Sequence, residues 1–233
     1  MKKLSVIFSV IVMLAFASPA SAILYNDNYV VGNGGYTSPY AGAIVETFDL
    51  ANSGGGGLTQ AGWSFLAGGN YQIIKGDVSG VASAPWWTDP VAMPVGQKDQ
   101  TYYLSVPVNV NSSPQSATIM FGGNPYNYLG LWWGSMDTYN TLDLVAADGI
   151  SVVASYTGGT WSPGDGKQES STTNMYRNLY DMPNFYGVKI TSTNYAFELD
   201  NLAVGYNVVP EPLTLTLLGC GLLGLLGIRR KMK

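Results

Sequence analysis

Apolar and polar residues alternate along short segments of this chain, and clusters of Gly, Asn, Asp, Ser and Pro separate those segments. From Leu104 to Val110, every second residue is Leu or Val, a spacing typical of a strand with one buried face. Long patterns with the period of a helix are missing from residues 23–209. Ten segments predict strands: Ala43–Leu50, Trp63–Phe65, Tyr71–Lys75, Thr101–Val110, Ala117–Phe121, Leu129–Trp133, Leu142–Ala146, Ser151–Tyr156, Tyr186–Ser192 and Ala196–Gly205.

The number of predicted strands indicates how they are arranged. Ten short strands in one domain favour two packed sheets, because doubling a sheet hides most of its unpaired edges. We therefore predict an all-β fold for residues 23–209, a jelly-roll-like antiparallel β-sandwich. Pro107 has no N–H to donate, so its strand is expected to lie at a sheet edge or to carry a bulge there.

Residues 1–22 have the three parts of a secretory signal peptide. Two lysines give a positive start, Leu4–Phe16 is a thirteen-residue apolar segment, and Ala20-Ser21-Ala22 offers small side chains for cleavage. Cleavage after Ala22 would leave Ile23 as the first mature residue. The alternative is an uncleaved membrane anchor, for which the apolar segment is short.

Residues 210–233 form a tail with three parts. Pro210-Glu211-Pro212 comes first, sixteen uncharged residues follow from Leu213 to Ile228, and a basic cluster closes the chain. As a helix, the apolar part would span about 24 Å and could cross a membrane with some adjustment at its ends. The basic cluster would hold its end in the cytoplasm and leave residues 23–209 outside. The cluster consists of Arg229, Arg230, Lys231 and Lys233.

This tail resembles a PEP-CTERM sorting signal, which combines Pro-Glu-Pro, a short apolar helix and a terminal Arg/Lys cluster. The resemblance implies export across the inner membrane of a Gram-negative bacterium, with signal peptidase and an exosortase as processing partners. It also implies cleavage close to Pro210-Glu211-Pro212 and a location at the cell surface or outside the cell. The alternative is a single-span anchor that is never processed, since hydropathy alone does not separate the two.

A second resemblance covers residues 100–205. The segments Thr101–Val106, Tyr128–Leu142 and Ala196–Ala203 occur in this order in a family of exosortase-dependent surface proteins. That family is defined by sequence, so the resemblance implies a surface location and a β-sandwich rather than an activity.

Composition excludes several kinds of chemistry. The chain has no histidine, which excludes a Ser-His-Asp triad, a Cys-His pair and histidine-ligated metals. Its one cysteine, Cys220, lies in the apolar tail, so neither an intrachain disulfide nor a cysteine metal cluster can form. Residues 23–209 hold five basic and fourteen acidic residues, a net charge of −9 that argues against nucleic acid as a partner.

One candidate site is a pair of carboxylates in the last predicted strand. Glu198 and Asp200 are two positions apart, so they share one face of the strand. They could bind calcium through oxygen or act as the acid and nucleophile of a glycosidase. Laminarinase-type sandwiches carry Glu-x-Asp-x-x-Glu, and this chain has Ala203 at the last position, which removes a catalytic carboxylate. The remaining alternative is that both face water or hydrogen-bond a local turn.

Two further acidic residues, Asp137 and Asp165, lie in predicted loops and are expected to be solvated.

The second candidate site consists of aromatic residues. Adjacent tryptophans in a strand point to opposite faces, so one of Trp132 and Trp133 is expected in the core and the other outside. Exposed rings, together with Trp86 and Trp87, could stack on sugars. The alternative is that most of these rings fill a sandwich core.

These observations predict a non-enzymatic protein that is exported, processed at its tail and associated with extracellular polysaccharide or biofilm. The alternative function is a carbohydrate-binding module, with calcium as its one conceivable cofactor. A carboxylate-dependent polysaccharide hydrolase is the third hypothesis.

Overall fold

The computed structural model describes residues 24–32, 35–49, 57–87 and 97–206. The predicted signal peptide and sorting tail lie outside these ranges. Within them, no helix is long and apolar enough to cross a membrane.

The described elements are fourteen strands and one short 3₁₀ turn, Gly158–Thr160. The strands are β1 Leu24–Asn26, β2 Val30–Gly32, β3 Gly35–Thr37, β4 Ile44–Glu46, β5 Ser64–Phe65, β6 Gln72–Lys75, β7 Tyr102–Val106, β8 Ser116–Met120, β9 Tyr128–Gly134, β10 Asn140–Val145, β11 Val152–Thr157, β12 Met175–Tyr180, β13 Gly187–Ser192 and β14 Phe197–Gly205.

Two antiparallel sheets make the body of the fold. The seven-stranded sheet has the order β1-β12-β9-β14-β7-β6, with β4 also paired to β14, and the five-stranded sheet has the order β11-β10-β13-β8-β5. Side chains from both sheets form one apolar cluster between them, which includes Leu131 and Leu199 from the first sheet and Leu142 and Ile190 from the second. The predicted all-β antiparallel sandwich is confirmed, and the jelly-roll description stays a prediction.

The outer face of the seven-stranded sheet is also covered. The hairpin of β2 and β3 and the segment around Trp87 pack on it, and Tyr36, Trp87, Trp132 and Tyr176 form a second apolar cluster there. Strands β9 and β14 are consequently buried along their whole length on both faces. Strands buried on both faces accept bulky residues at successive positions, as β9 does with Trp132 and Trp133.

Strand β14 contains a bulge that keeps its apolar residues in the core. Its pairing with β9 shifts between Asp200 and Ala203, and Asn201 adopts a left-handed conformation with φ of 49°. Asparagine tolerates this conformation better than most residues. The extra residue lets both Leu199 and Leu202 face the core although they are three positions apart.

Two predicted strands are longer than the observed ones. Strand β4 ends at Glu46, and Phe48 then takes a left-handed conformation that breaks the extended backbone while its ring enters the core. Strand β7 ends at Val106, directly before Pro107. The prediction that this strand lies at an edge or carries a bulge at Pro107 is wrong, because β7 lies between β14 and β6 and ends where the donor N–H is lost.

Both ends of the described domain lie at the same end of the seven-stranded sheet. Strand β1 starts at Leu24, which pairs with Tyr180, the last residue of β12. Strand β14 ends at Gly205, which pairs with Tyr128, the first residue of β9. Because β12 and β9 are antiparallel neighbours, these pairs form one row across four strands. Leu24 and Gly205 are therefore roughly 14 Å apart, three strand spacings.

Glu46 is buried and holds the loop that follows β4. Its carboxylate accepts the backbone N–H groups of Phe48, Thr59 and Gln60 at 2.7, 2.7 and 3.0 Å, and the Thr59 hydroxyl at 2.9 Å. Four donors around one carboxylate satisfy the buried charge and join two parts of the chain.

The first prediction concerns this carboxylate. Replacing Glu46→Gln puts an amide NH₂ against N–H donors, so we expect the free energy of unfolding to fall by about 2 kcal/mol. Chemical denaturation measures the change. The exposed Glu169→Gln is the matched control and should change stability by less than about 0.5 kcal/mol. Equal stability of the two variants would contradict the role given to Glu46.

Candidate functional site

An open cavity of 610 Å³ lies at the end of the sandwich opposite Leu24 and Gly205. Glu198, which pairs with Gly134 at this end of β14 and β9, lies at its base. The turn from β9 to β10 and residues 77–83 form its walls. Three carboxyl groups line it, those of Asp77, Asp137 and Glu198.

Glu198 is a buried cross-link at the base of the cavity. Its Oε1 accepts the Ser83 N–H at 3.0 Å, and its Oε2 accepts the Ser135 hydroxyl at 2.8 Å. Burial raises the pKa of the Glu198 carboxyl to about 8, and the two hydrogen bonds only partly offset this. Both oxygens therefore hold one wall of the cavity to the other.

Asp137 lies half-buried in the β9–β10 turn, where glycines approach it closely. A Cβ on Gly158 would lie 2.9 Å from the Asp137 backbone nitrogen and closer still to its carbonyl oxygen. Gly166 packs directly against the Asp137 carboxylate. Burial raises the pKa of Asp137, and the negative charge of Asp165 adds to the effect. Asp137 is thus a positioned cavity residue, which corrects the expectation of a solvated loop acid, whereas Asp165 is exposed and pairs with Lys167 at 2.7 Å.

Two half-buried tyrosines complete the cavity. The Tyr139 hydroxyl donates to the backbone carbonyl of Tyr195 at 3.0 Å, which joins the β9–β10 turn to the segment before β14. Opposite them, Asp77 accepts from Lys98 Nζ at 2.8 Å and from the Ala84 N–H at 3.0 Å. The cavity therefore presents aromatic rings beside carboxylate groups.

Asp200 shares a strand face with Glu198, but the two carboxyl groups contact different partners. Asp200 is fully buried and lies close enough to Asp99 for the negative charge of Asp99 to add to the effect of burial on the Asp200 pKa. Burial raises the pKa of Asp200 well above its ordinary value and that of Asp99 to about 6. Within the described ranges, no three acidic, cysteine or histidine side chains form a ready-made metal centre.

The four tryptophans do not form an exposed platform for sugar. Trp87, Trp132 and Trp133 are at most 1% exposed, and Trp86 is half-buried. Trp132 and Trp133 point to opposite faces, as alternation predicts, but the outer ring is covered by Tyr36 and Trp87. Trp133 stacks on Phe197 in the core, with ring centroids 4.2 Å apart. The expectation of an outward tryptophan fails because the outer face of the sheet is itself covered.

Sequence reasoning did not identify Asp77, Asp99, Tyr139 and Tyr195 as site residues. Loops from distant parts of the chain bring Asp77, Tyr139 and Tyr195 to the cavity, and another segment brings Asp99 to Asp200. A group of glycines in the polar segment after β11 was a usable signal for the packing around Asp137, since glycines close together often mark a close approach of two backbones. These are Gly158, Gly164 and Gly166.

Comparison with known proteins gives distant structural likenesses. No known protein family and no curated protein matches the chain. The K2 cleaved adhesin domain of Lys-gingipain (Kgp) is similar at 15% identity and a TM-score of 0.40, over 70% of this chain and 99% of that domain. The K1 cleaved adhesin domain of Lys-gingipain from Porphyromonas gingivalis W83 is similar at 11% identity and a TM-score of 0.38, over 72% and 100%. Likenesses this distant assign neither a function nor a site.

The second prediction tests the packing that positions Asp137. Gly158→Ala forces a Cβ into the backbone of Asp137, so we expect a loss of about 1–3 kcal/mol in the free energy of unfolding. Gly159→Ala is the matched control, because its Cβ would meet Thr138 Cγ2 at 3.4 Å and Thr157 Oγ1 at 3.8 Å, both ordinary contacts. Thermal and chemical denaturation measure both variants, and a more severe loss in Gly159→Ala would refute the packing argument.

Proposed function

We propose that this chain is an exported, non-enzymatic protein of the cell surface or extracellular matrix. Its signal peptide would be removed after Ala22, and its tail would be processed by an exosortase near Pro210-Glu211-Pro212. The support is the combination of a signal-peptide pattern at one end and a three-part sorting pattern at the other. The body between them is acidic and suits a soluble domain outside the cell.

The open cavity supports binding of carbohydrate by this domain. Sugar hydroxyl groups are recognised by carboxylates and amides, and the faces of sugar rings pack on aromatic side chains. The cavity offers Asp77 and Asp137 together with Tyr139 and Tyr195, and its volume of 610 Å³ suits a short stretch of polysaccharide. This arrangement is the observation that carries the proposal of a polysaccharide ligand.

The hydrogen bonds of the buried carboxyl groups support a binding role over catalysis. A glycosidase needs two carboxyl groups facing one substrate, one as acid and one as nucleophile or base. Both Glu198 oxygens are held by Ser83 and Ser135, and Asp200 is paired with Asp99. The two acids of the strand thus have separate surroundings and do not face a common substrate.

The third prediction concerns processing. In cells with an exosortase, mass spectrometry of the mature protein should find Ile23 at the amino end and the loss of residues after the Pro-Glu-Pro motif. Replacing Pro210-Glu211-Pro212 with three alanines keeps the apolar segment and should leave the tail uncleaved. The sorting proposal would lose its basis if this variant were cleaved like the unchanged protein. It would also lose its basis if the unchanged protein were cleaved in cells without the exosortase.

The fourth prediction concerns the cavity. With purified exopolysaccharide of the producing cells as the probe, Tyr139→Ala and Tyr195→Ala should each weaken binding by about tenfold, through loss of ring contacts. Tyr206→Ala is the matched control, since Tyr206 is 59% exposed and does not line the cavity. Melting curves establish that each variant is folded.

Two outcomes would contradict the binding proposal. The first is equal affinity of the cavity variants and the Tyr206→Ala control. The second is release of reducing sugar ends that disappears in Glu198→Gln, which would make the domain a hydrolase.

A further inference from the structure

Strand β14 changes its pairing partner in the middle of its length. On one side it pairs with β7 as far as Leu199 and with β4 from Leu202 onward. Asp200 and Asn201 fall between these two ladders, at the bulge. The end of β4, the approach to β7 and the centre of β14 therefore meet at one point.

Four oxygen-bearing side chains converge at this switch of partners, and we call them the strand-switch cluster: Asp49, Asp99, Thr101 and Asp200. Asp99 Oδ1 accepts the Thr101 N–H at 2.8 Å and the Thr101 hydroxyl at 2.5 Å. The same hydroxyl lies 3.4 Å from Asp200 Oδ2. Asp49 follows β4 and accepts the Tyr102 N–H at 2.9 Å. This hydrogen bond holds a third carboxylate at the edge of the cluster.

Two oxygens in this cluster are buried and face no donor from the described residues. They are Asp99 Oδ2 and Asp200 Oδ1, and both residues are 0% exposed. A buried carboxylate without a donor or a counter-charge is strongly destabilising. Glu46 shows how this fold treats a buried carboxylate that needs no ligand, since four donors surround it.

We propose that the strand-switch cluster binds a divalent cation, and that in an exported protein this cation is calcium. Asp99 and Asp200 supply two buried negative charges, which a single divalent ion neutralises. Thr101 supplies a neutral oxygen, and the negative charge of Asp49, which acts on both aspartates, adds to the attraction for a cation. Calcium takes six to eight oxygen ligands in flexible geometry, so backbone carbonyls and water complete the coordination around this two-carboxylate core.

This site differs from the pair that the sequence indicates. Asp200 belongs to both, but Glu198 is held by Ser83 and Ser135 and takes no part in the strand-switch cluster. The choice of calcium rests on the proposed export, because calcium is abundant outside cells and modules there bind it with dissociation constants of about 0.1–1 mM. The presence of a cation site does not depend on carbohydrate binding.

The proposed ion would lie where three segments meet between the β14–β7 ladder and the β14–β4 ladder. Two ligands precede β7 and one lies in β14, while Asp49 after β4 contributes its negative charge. Binding to the folded state alone raises its stability in proportion to the logarithm of the calcium concentration.

The experiment uses the full chain, purified in detergent and freed of cations with EGTA. At calcium concentrations about 100 times the dissociation constant, the melting temperature should rise by about 5–10 °C. Sodium chloride at matched ionic strength should give no such rise. Isothermal titration should show one calcium per chain, and absence of binding up to about 10 mM would overturn the proposal.

Variants locate the ion. Asp99→Asn and Asp200→Asn should lose the calcium-dependent rise, whereas Asp148→Asn, an exposed turn carboxylate, should keep it. Glu198→Gln should also keep it, and loss there alone would place the ion in the cavity and overturn the strand-switch site. If the aspartate variants do not fold, Thr101→Val serves instead, with calcium affinity expected to fall by about tenfold and an unchanged affinity counting against the proposal.

Discussion

The burial of the seven-stranded sheet on both faces is the constraint on which the rest of this structure depends. One face packs on the five-stranded sheet, and the other is covered by the β2–β3 hairpin and the segment around Trp87. Any polar residue in β9, β12 or β14 must therefore find its partners inside the protein. Glu198 meets this requirement through Ser83 and Ser135, whereas Asp200 keeps one buried oxygen, Oδ1, that faces no donor from the described residues. The same constraint turns the four tryptophans from candidate ligand platforms into packing residues.

The period of two along the chain was sufficient to predict the sandwich and most of its strands. It also placed Glu198 and Asp200 on one strand face, because alternation requires nothing beyond the local backbone. It failed for β12, since Arg177 and Asn178 interrupt the apolar pattern of Met175–Tyr180. Both side chains are buried and hold the amino-terminal segment: Arg177 pairs with Asp27 and donates to the Trp161 carbonyl, and Asn178 donates to the carbonyl of Asn28. A strand that is held by polar contacts gives no hydrophobic signal, so β1 and β12 were missed together.

The candidate sites were less predictable than the strands. The cavity is built from Asp77, Asp137 and Glu198, which come from three loops or strand ends and have no common spacing. The strand-switch cluster joins Asp99 to Asp200 across a hundred positions, through a change of strand partner that local pattern does not encode. The sequence indicated one member of each site, because it shows which residue type stands at each strand position. It does not show which residue of another segment that side chain contacts in the fold.

The shared position of Leu24 and Gly205 would orient the domain if both flanking segments were held in a membrane. Leu24 and Gly205 lie in one row at one end of the seven-stranded sheet. If the signal segment and the sorting tail are both held in the inner membrane before processing, two neighbouring tethers suspend the domain from that single end. Strand β9, seven residues long, then carries the cavity about 20 Å farther from the lipid. In that arrangement the cavity would face outward, and the domain would be released only when both tethers are cut.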